Sequence, residues 1–137
     1  MSGFDIVLEK VPNIFELQHA LAKLFKIKNE NIIIDYDYNA KPFVGDIKIW
    51  LVINQYHGGE FLLNCSFYIR DAKLKKDPII ISKELCNVLK TRALISDDSP
   101  NPLTWIMILP NGTEKAVILD ANELDNDKYV VSKILED

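Results

Sequence analysis

Histidine, cysteine and glycine are all scarce in this chain: 137 residues contain 2 His, 2 Cys and 5 Gly. A structural or catalytic zinc site needs Cys and His clustered at ligand spacing. Cys65 and Cys86 lie far apart with no second pair, so no metal site of that kind is expected. Nucleophilic catalysis needs an activated Ser or Cys with a base in reach. The two imidazoles, His19 beside a helical stripe and His57 in a turn, accompany no Gly-x-Ser-x-Gly elbow. The glycines form neither a phosphate-cradling loop nor a dinucleotide fingerprint. No apolar run approaches the ~20 residues that span a bilayer. The first residues lack a basic segment followed by an apolar core, so no secretory signal is expected. Both cysteines fall on apolar faces and read as reduced core thiols of a cytoplasmic protein.

What is present is ordinary for a soluble domain: 48% hydrophobic and 26% charged residues. The length is most simply one domain, residues 1–137, with a core of its own. Charge is placed unevenly. Residues 1–90 hold 12 Lys/Arg against 11 Asp/Glu, whereas residues 91–137 hold 4 against 9. An acidic C-terminal third disfavours nucleic acid and suits a basic partner.

The stretch from Ile47 to Arg70 organises the pattern. Ile49, Leu51 and Ile53 alternate against Lys48, Trp50, Val52 and Asn54, and Leu63, Cys65, Phe67 and Ile69 against Leu62, Asn64, Ser66, Tyr68 and Arg70. Apolar sets meet only when odd positions pair with odd. A three-residue loop His57-Gly58-Gly59 achieves this by pairing Ile53 with Leu63, Leu51 with Cys65 and Ile49 with Phe67. The reverse face carries Lys48, Trp50, Val52, Tyr56, Leu62 and Tyr68, half apolar, and calls for a covering helix or a partner.

Around this hairpin, Phe4–Lys10 reads as a strand and Asn13 as a helix cap with Glu16 completing a capping box. Ile14, Leu17, Leu21, Leu24 and Phe25 continue at helical spacing to about Ile27. Lys23, Lys26 and Lys28 then suit the helix dipole. Asn31–Tyr38 reads as a strand, and Lys73, Lys75 and Lys76 as a solvated connector. Ile81, Leu85, Val88 and Leu89 mark a second helix to about Arg92, followed by a short strand Ala93–Ser96. Trp105–Leu109 and the strand after Asn111-Gly112 form a second hairpin. A two-residue turn there pairs Trp105 with Ile118, Met107 with Ala116 and Ile106 with Val117. Tyr129–Leu135 fits a strand or a helical turn equally. The order implies an α+β fold, a mostly antiparallel sheet of about 6–7 strands with two helices on one face.

Two carboxylate pairs end apolar runs: Asp35 and Asp37 in "IIIDYDYN", Asp97 and Asp98 in "LISDDSP". Held together, they would bind a magnesium ion for phosphoryl transfer. In that respect they resemble the first and last acidic motifs of haloacid-dehalogenase-like phosphatases, without the Ser/Thr and Lys pair between them. That enzyme is the alternative reading; the leading one is binding. Tyr36, Tyr38, Tyr56 and Trp50 interleave with carboxylates. A small acidic chain of this kind resembles the immunity proteins that neutralise bacterial toxins, including those of contact-dependent growth inhibition. The resemblance implies a non-catalytic, cofactor-free monomer or weak dimer that occludes a basic toxin domain. Its interface would use carboxylates to steer and aromatics to hold: Asp35, Tyr36, Asp37, Tyr38, Tyr56, Asp97, Asp98, Glu123, Asp125 and Asp127.

Overall fold

The computed structural model describes residues 3–36 and 45–135. Phe4–Leu8 forms β1. Asn13 then caps α1, Ile14–Phe25, by the predicted capping box. Its side chain accepts the Glu16 N–H at 2.8 Å, and Glu16 Oε1 accepts the Asn13 N–H at 3.4 Å. The helix ends where Lys26 turns left-handed, at φ 56°. The second helix, α2, spans Pro78–Leu89, with Asp77 capping the Ile79 N–H at 2.9 Å and proline in the first turn. It stops before Arg92, the end that spacing suggests, because Lys90 is left-handed (φ 55°) and ends the helix.

The remaining strands are β2 (Ile32–Asp35), β3 (Ile49–Gln55), β4 (Leu63–Ile69), β5 (Ala93–Ser96), β6 (Thr104–Ile108), β7 (Glu114–Leu119) and β8 (Val131–Ile134). A short α3, Ala121–Asp125, precedes β8. They make one sheet in the order β2-β3-β4-β1-β5-β6-β7-β8. The α+β class is as expected, but the sheet has eight strands, and α3 is a third helix among the described residues. The sheet is also mixed, since β2 runs parallel to β3. Side-chain alternation is the same in parallel and antiparallel strands, so the sequence pattern is silent on direction.

Both longer helices lie on one face. Leu17, Leu21 and Leu24 of α1 and Ile81, Leu85 and Cys86 of α2 pack with Ile6, Leu51, Cys65 and Phe67 of the sheet. A smaller cluster holds Val7, Phe61, Leu94, Met107, Val117 and Leu119. Strand alternation puts Val7, Leu94 and Met107 of that cluster on the other face.

Both hairpin registers differ from the sequence reading. In β3–β4, odd residues do meet odd, but Ile53 faces Cys65, Leu51 faces Phe67 and Ile49 faces Ile69. The loop is longer than three residues because Glu60 and Phe61 turn away to bond the Tyr129 carbonyl, at 2.9 and 3.3 Å. In β6–β7, Trp105 faces Val117 and Ile106 faces Ala116. The cause is Pro110. It sits at the second position of a turn closed by Gly112 N–H to Leu109 O at 2.9 Å, with Gly112 left-handed at φ 87°. The loop is therefore Pro110-Asn111-Gly112, and the side chains of β7 change face relative to those of β6 compared with a two-residue turn.

The run from β1 through β8 curls back on itself. Phe61 bridges Tyr129, the Leu62 N–H meets Leu8 O at 2.8 Å, and Glu60 Oε1 accepts the Val131 N–H at 2.9 Å. The approach to β8 is thereby joined to the segment before β4, and the smaller core lies inside that curl.

Candidate protein-docking face

Alternation assigns the residues of the face opposite α1 and α2. Asp35, Val52, Ser66 and Asp5 form one row across β2, β3, β4 and β1. Asn54, Asn64, Val7, Leu94 and Met107 form another, continuing to β6. Polar groups in these rows bond one another. Ser66 Oγ donates to Asp5 Oδ1 at 2.6 Å, and Asn64 Nδ2 donates to Ser66 Oγ at 3.2 Å. Trp50 Nε1 donates to Asp35 Oδ2 at 2.9 Å, and its ring lies 5.0 Å from Tyr68.

Where this face meets the curl, three aromatic rings gather. Tyr56, just beyond β3, lies 5.2 Å from Tyr129, and Trp105 meets Tyr129 edge-on at 5.7 Å. Trp105 Nε1 is satisfied by Pro102 O at 2.9 Å. Burial pushes the Tyr56 phenol well above its ordinary range, helped by a hydrogen bond with Tyr129 and by the charges of Tyr129, Asp5 and Asp127. An open cleft of about 580 Å³ beside it is lined by Asn54, Gln55, Tyr56, His57, Asn126 and Asp127. This is an aromatic platform, partly dry, with amide groups and a carboxylate at its rim.

Of the predicted interface residues, Tyr56 and Asp127 come together here, and Glu123 and Asp125 stand on the adjacent α3. Asp127 is exposed and left-handed, at φ 58°. Tyr36, 71% exposed, is elsewhere, lining a separate cleft with Val11, Ile14 and Ile53. Asp37 and Tyr38 lie outside the described residues. Asp97 and Asp98 occupy the β5–β6 connection. There Asp97 Oδ1 accepts the Ser99 N–H at 3.0 Å, and Ser96 Oγ accepts the Asp98 N–H at 3.1 Å. That is turn-forming work.

Asp35 does not come together with Asp97 and Asp98. Asp35 ends β2 and Asp97 follows β5, with β3, β4 and β1 between them. Four inter-strand steps amount to roughly 19 Å along the sheet, far beyond one coordination sphere. Among the described residues no group of three or more His, Cys, Asp or Glu side chains is placed to hold a metal ion.

Sequence reasoning passed over Asp5, Tyr129 and Trp105 as site members. Asp5 showed only as the polar partner in an alternating strand, and Tyr129 sat in a segment of undecided structure. Also unread was the Arg92 cluster. Its Nη2 lies 2.7 Å from Glu9 Oε2 and 3.6 Å from Glu60 Oε2, and the guanidinium stands 5.1 Å from the centre of the Phe61 ring. That cluster supports the Glu60–Val131 bond and so the shape of the platform.

No family model, curated protein or solved structure was found to match the chain. No helix among the described residues is long and apolar enough to cross a membrane.

Proposed function

We propose that the chain is a non-catalytic protein-binding domain whose partner is a basic protein, and that it acts as an immunity protein neutralising a toxin. One observation carries this reading: the Tyr56, Tyr129 and Trp105 rings gather beside Asp127, with Asp5 on the same sheet face, the side opposite α1 and α2. Carboxylates at a rim raise the encounter rate of a cationic partner, and rings that lose water on contact hold it. The acidic balance of residues 91–137 adds to the steering field. Binding needs no cofactor, and the partner's active site or a neighbouring surface is what the domain covers. The cytoplasm is the proposed compartment and a monomer or weak dimer the proposed state.

The test is co-purification with the product of a neighbouring reading frame, followed by association kinetics at several salt concentrations. Asp127→Lys is expected to slow association and flatten its salt dependence, and Tyr56→Ala to speed dissociation. A basic partner that binds both variants like the parent protein would remove this face from the interface. Turnover of a phosphoester by the purified chain would remove the reading itself.

A further inference from the structure

The sheet has two edges, β2 and β8. The β8 edge is guarded. Its register with β7 shifts at Ile118 and Leu119, Glu60 Oε1 takes the Val131 N–H at 2.9 Å, and Lys133 stands exposed within it. Bulges and lysines are what edge strands carry to discourage strand addition. The β2 edge, Ile32–Asp35, has neither. Its bonding follows from the neighbouring strands. Arg70 N–H reaches Lys48 O at 2.8 Å and Tyr56 N–H reaches Leu62 O at 2.7 Å, so within β3 the even residues bond β4 and the odd ones bond β2. Ile33 and Asp35, opposite Trp50 and Val52, therefore bond Ile49, Leu51 and Ile53. Ile32, Ile34 and Tyr36 turn their backbone groups outward. The Ile32 N–H is taken by Asn29 O. Among the described residues, the Ile32 carbonyl, both Ile34 groups and the Tyr36 N–H have no partner.

We propose that β2 is a homodimer seam, where a second copy of the chain adds its own β2 antiparallel across a two-fold axis. The free groups select both occupant and register. With Ile34 opposite its symmetry mate, the two exchange a pair of hydrogen bonds, and each Tyr36 N–H meets the Ile32 carbonyl of the other copy. All four bonds use free groups, and the engaged Ile32 N–H is not needed. Sliding so that Ile32 faces Ile34 keeps only two of them. Sliding the other way, Ile34 facing Tyr36, sets the two Asp35 carboxylates directly opposite each other, which destabilises. In the favoured register Asp35 faces Ile33 of the second copy, on the open side of the sheet. On the helix side Ile34 meets its mate, and Tyr36, 71% exposed in the single chain, meets Ile32. The apolar layer beneath α1 thus runs on through the seam. A foreign strand would need an unguarded edge of its own, which folded proteins avoid; a second copy supplies one with matching free groups. The seam uses no residue of the cleft beside Tyr56, so it stands whether or not that face binds a toxin.

Sedimentation velocity of the intact chain over a concentration series tests the proposal. So small a seam falls below that of permanent dimers, and a dissociation constant on the order of 10 μM is expected. Ile33→Asp puts a carboxylate opposite Asp35, and Ile33→Lys an ammonium. The lysine variant is expected to dimerise about tenfold more tightly than the aspartate one, with high salt narrowing the gap. Ser132→Pro, which removes an outward N–H from β8, should leave the dimer unchanged. A second measurement does not depend on those variants folding. Positions 33 and 35 of the two copies form a non-hydrogen-bonded pair, with Cα atoms about 4.5 Å apart and within disulfide reach. An equimolar mixture of Ile33→Cys and Asp35→Cys should therefore cross-link on mild oxidation faster than either alone. A chain that stays monomeric to about 1 mM, equal or reversed affinities of the two folded Ile33 variants, or no preference for the mixed cross-link overturns the proposal. Loss of the dimer in Ser132→Pro, or growth beyond two copies, also overturns it, because β8 would then be the joining edge.

Discussion

Arg92 Nη2 stands 2.7 Å from Glu9 Oε2, and the Glu9 N–H in turn bonds Arg92 O at 2.9 Å. The pair links the end of β1 to the residue before β5, and Glu60 brings in the segment that bridges to β8. The hydrogen bond from Arg92 holds the Glu9 carboxyl below its ordinary value of 4.5, although burial opposes it. A depressed carboxylate adds stability that is present above the ordinary value and is lost as pH falls through the lowered one. Unfolding midpoints measured on the acid side should therefore decline less steeply for Glu9→Gln. Arg92→Ala also removes the guanidinium over Phe61 and is expected to cost about 1–3 kcal/mol in denaturant unfolding.

Tyr56 behaves in the opposite sense. Its fold favours the neutral phenol, so the stability it contributes is present below the ordinary value of 10.0 and is lost as pH rises beyond it. Absorbance titration should show one tyrosine that fails to ionise until the chain unfolds, and Tyr56→Phe should abolish that late step. Losing the hydroxyl should cost about 0.5–1.5 kcal/mol.

Two glycines separate backbone freedom from crowding. Gly112 (φ 87°) has open space where a Cβ would go, so Gly112→Ala should cost about 1 kcal/mol from backbone conformation alone. Gly59 (φ 89°) would place its Cβ 3.0 Å from Tyr129 N and 3.2 Å from Tyr129 O. Gly59→Ala should therefore destabilise more than Gly112→Ala in parallel thermal scans. It should also perturb Trp105 fluorescence, because Trp105 rests on Tyr129.

Cys65 and Cys86 are buried. Burial pushes the Cys86 thiol up to about 12, with the Glu9 charge adding to the effect, and raises Cys65 further. Neither should react with iodoacetamide in the native protein, and both should react in denaturant. Rapid native labelling of either would contradict its position in the larger core.

Much of the architecture was legible because local chemistry states it outright. Asn13 and Glu16 announce α1, the odd-to-odd apolar match brings β3 and β4 together on the correct face, and Ala93–Ser96 reads as β5 without adjustment. What escaped depends on partners distant in sequence. The β3–β4 register is decided by Tyr129, which captures Glu60 and Phe61, and no window around Gly58 contains that information. Pro110 was legible in principle, since proline before Asn-Gly favours a turn with a left-handed glycine over the tighter one. The candidate face shows the same division. Tyr56 and Asp127 carried a visible signal as an aromatic and a carboxylate, while Asp5 and Trp105 join them only through sheet order.

The Phe61–Tyr129 bridge also sets a timetable. The larger core needs no residue beyond Ile108, whereas the smaller one is sealed only when Tyr129 reaches back to Phe61. During synthesis Val7, Leu94 and Met107 are therefore expected to stay wet until Tyr129 has left the ribosome. Contacts this distant along the chain close slowly. Refolding is accordingly expected to pass through a species with its helices packed and its aromatic platform still open, one that has yet to acquire the surface a partner would recognise.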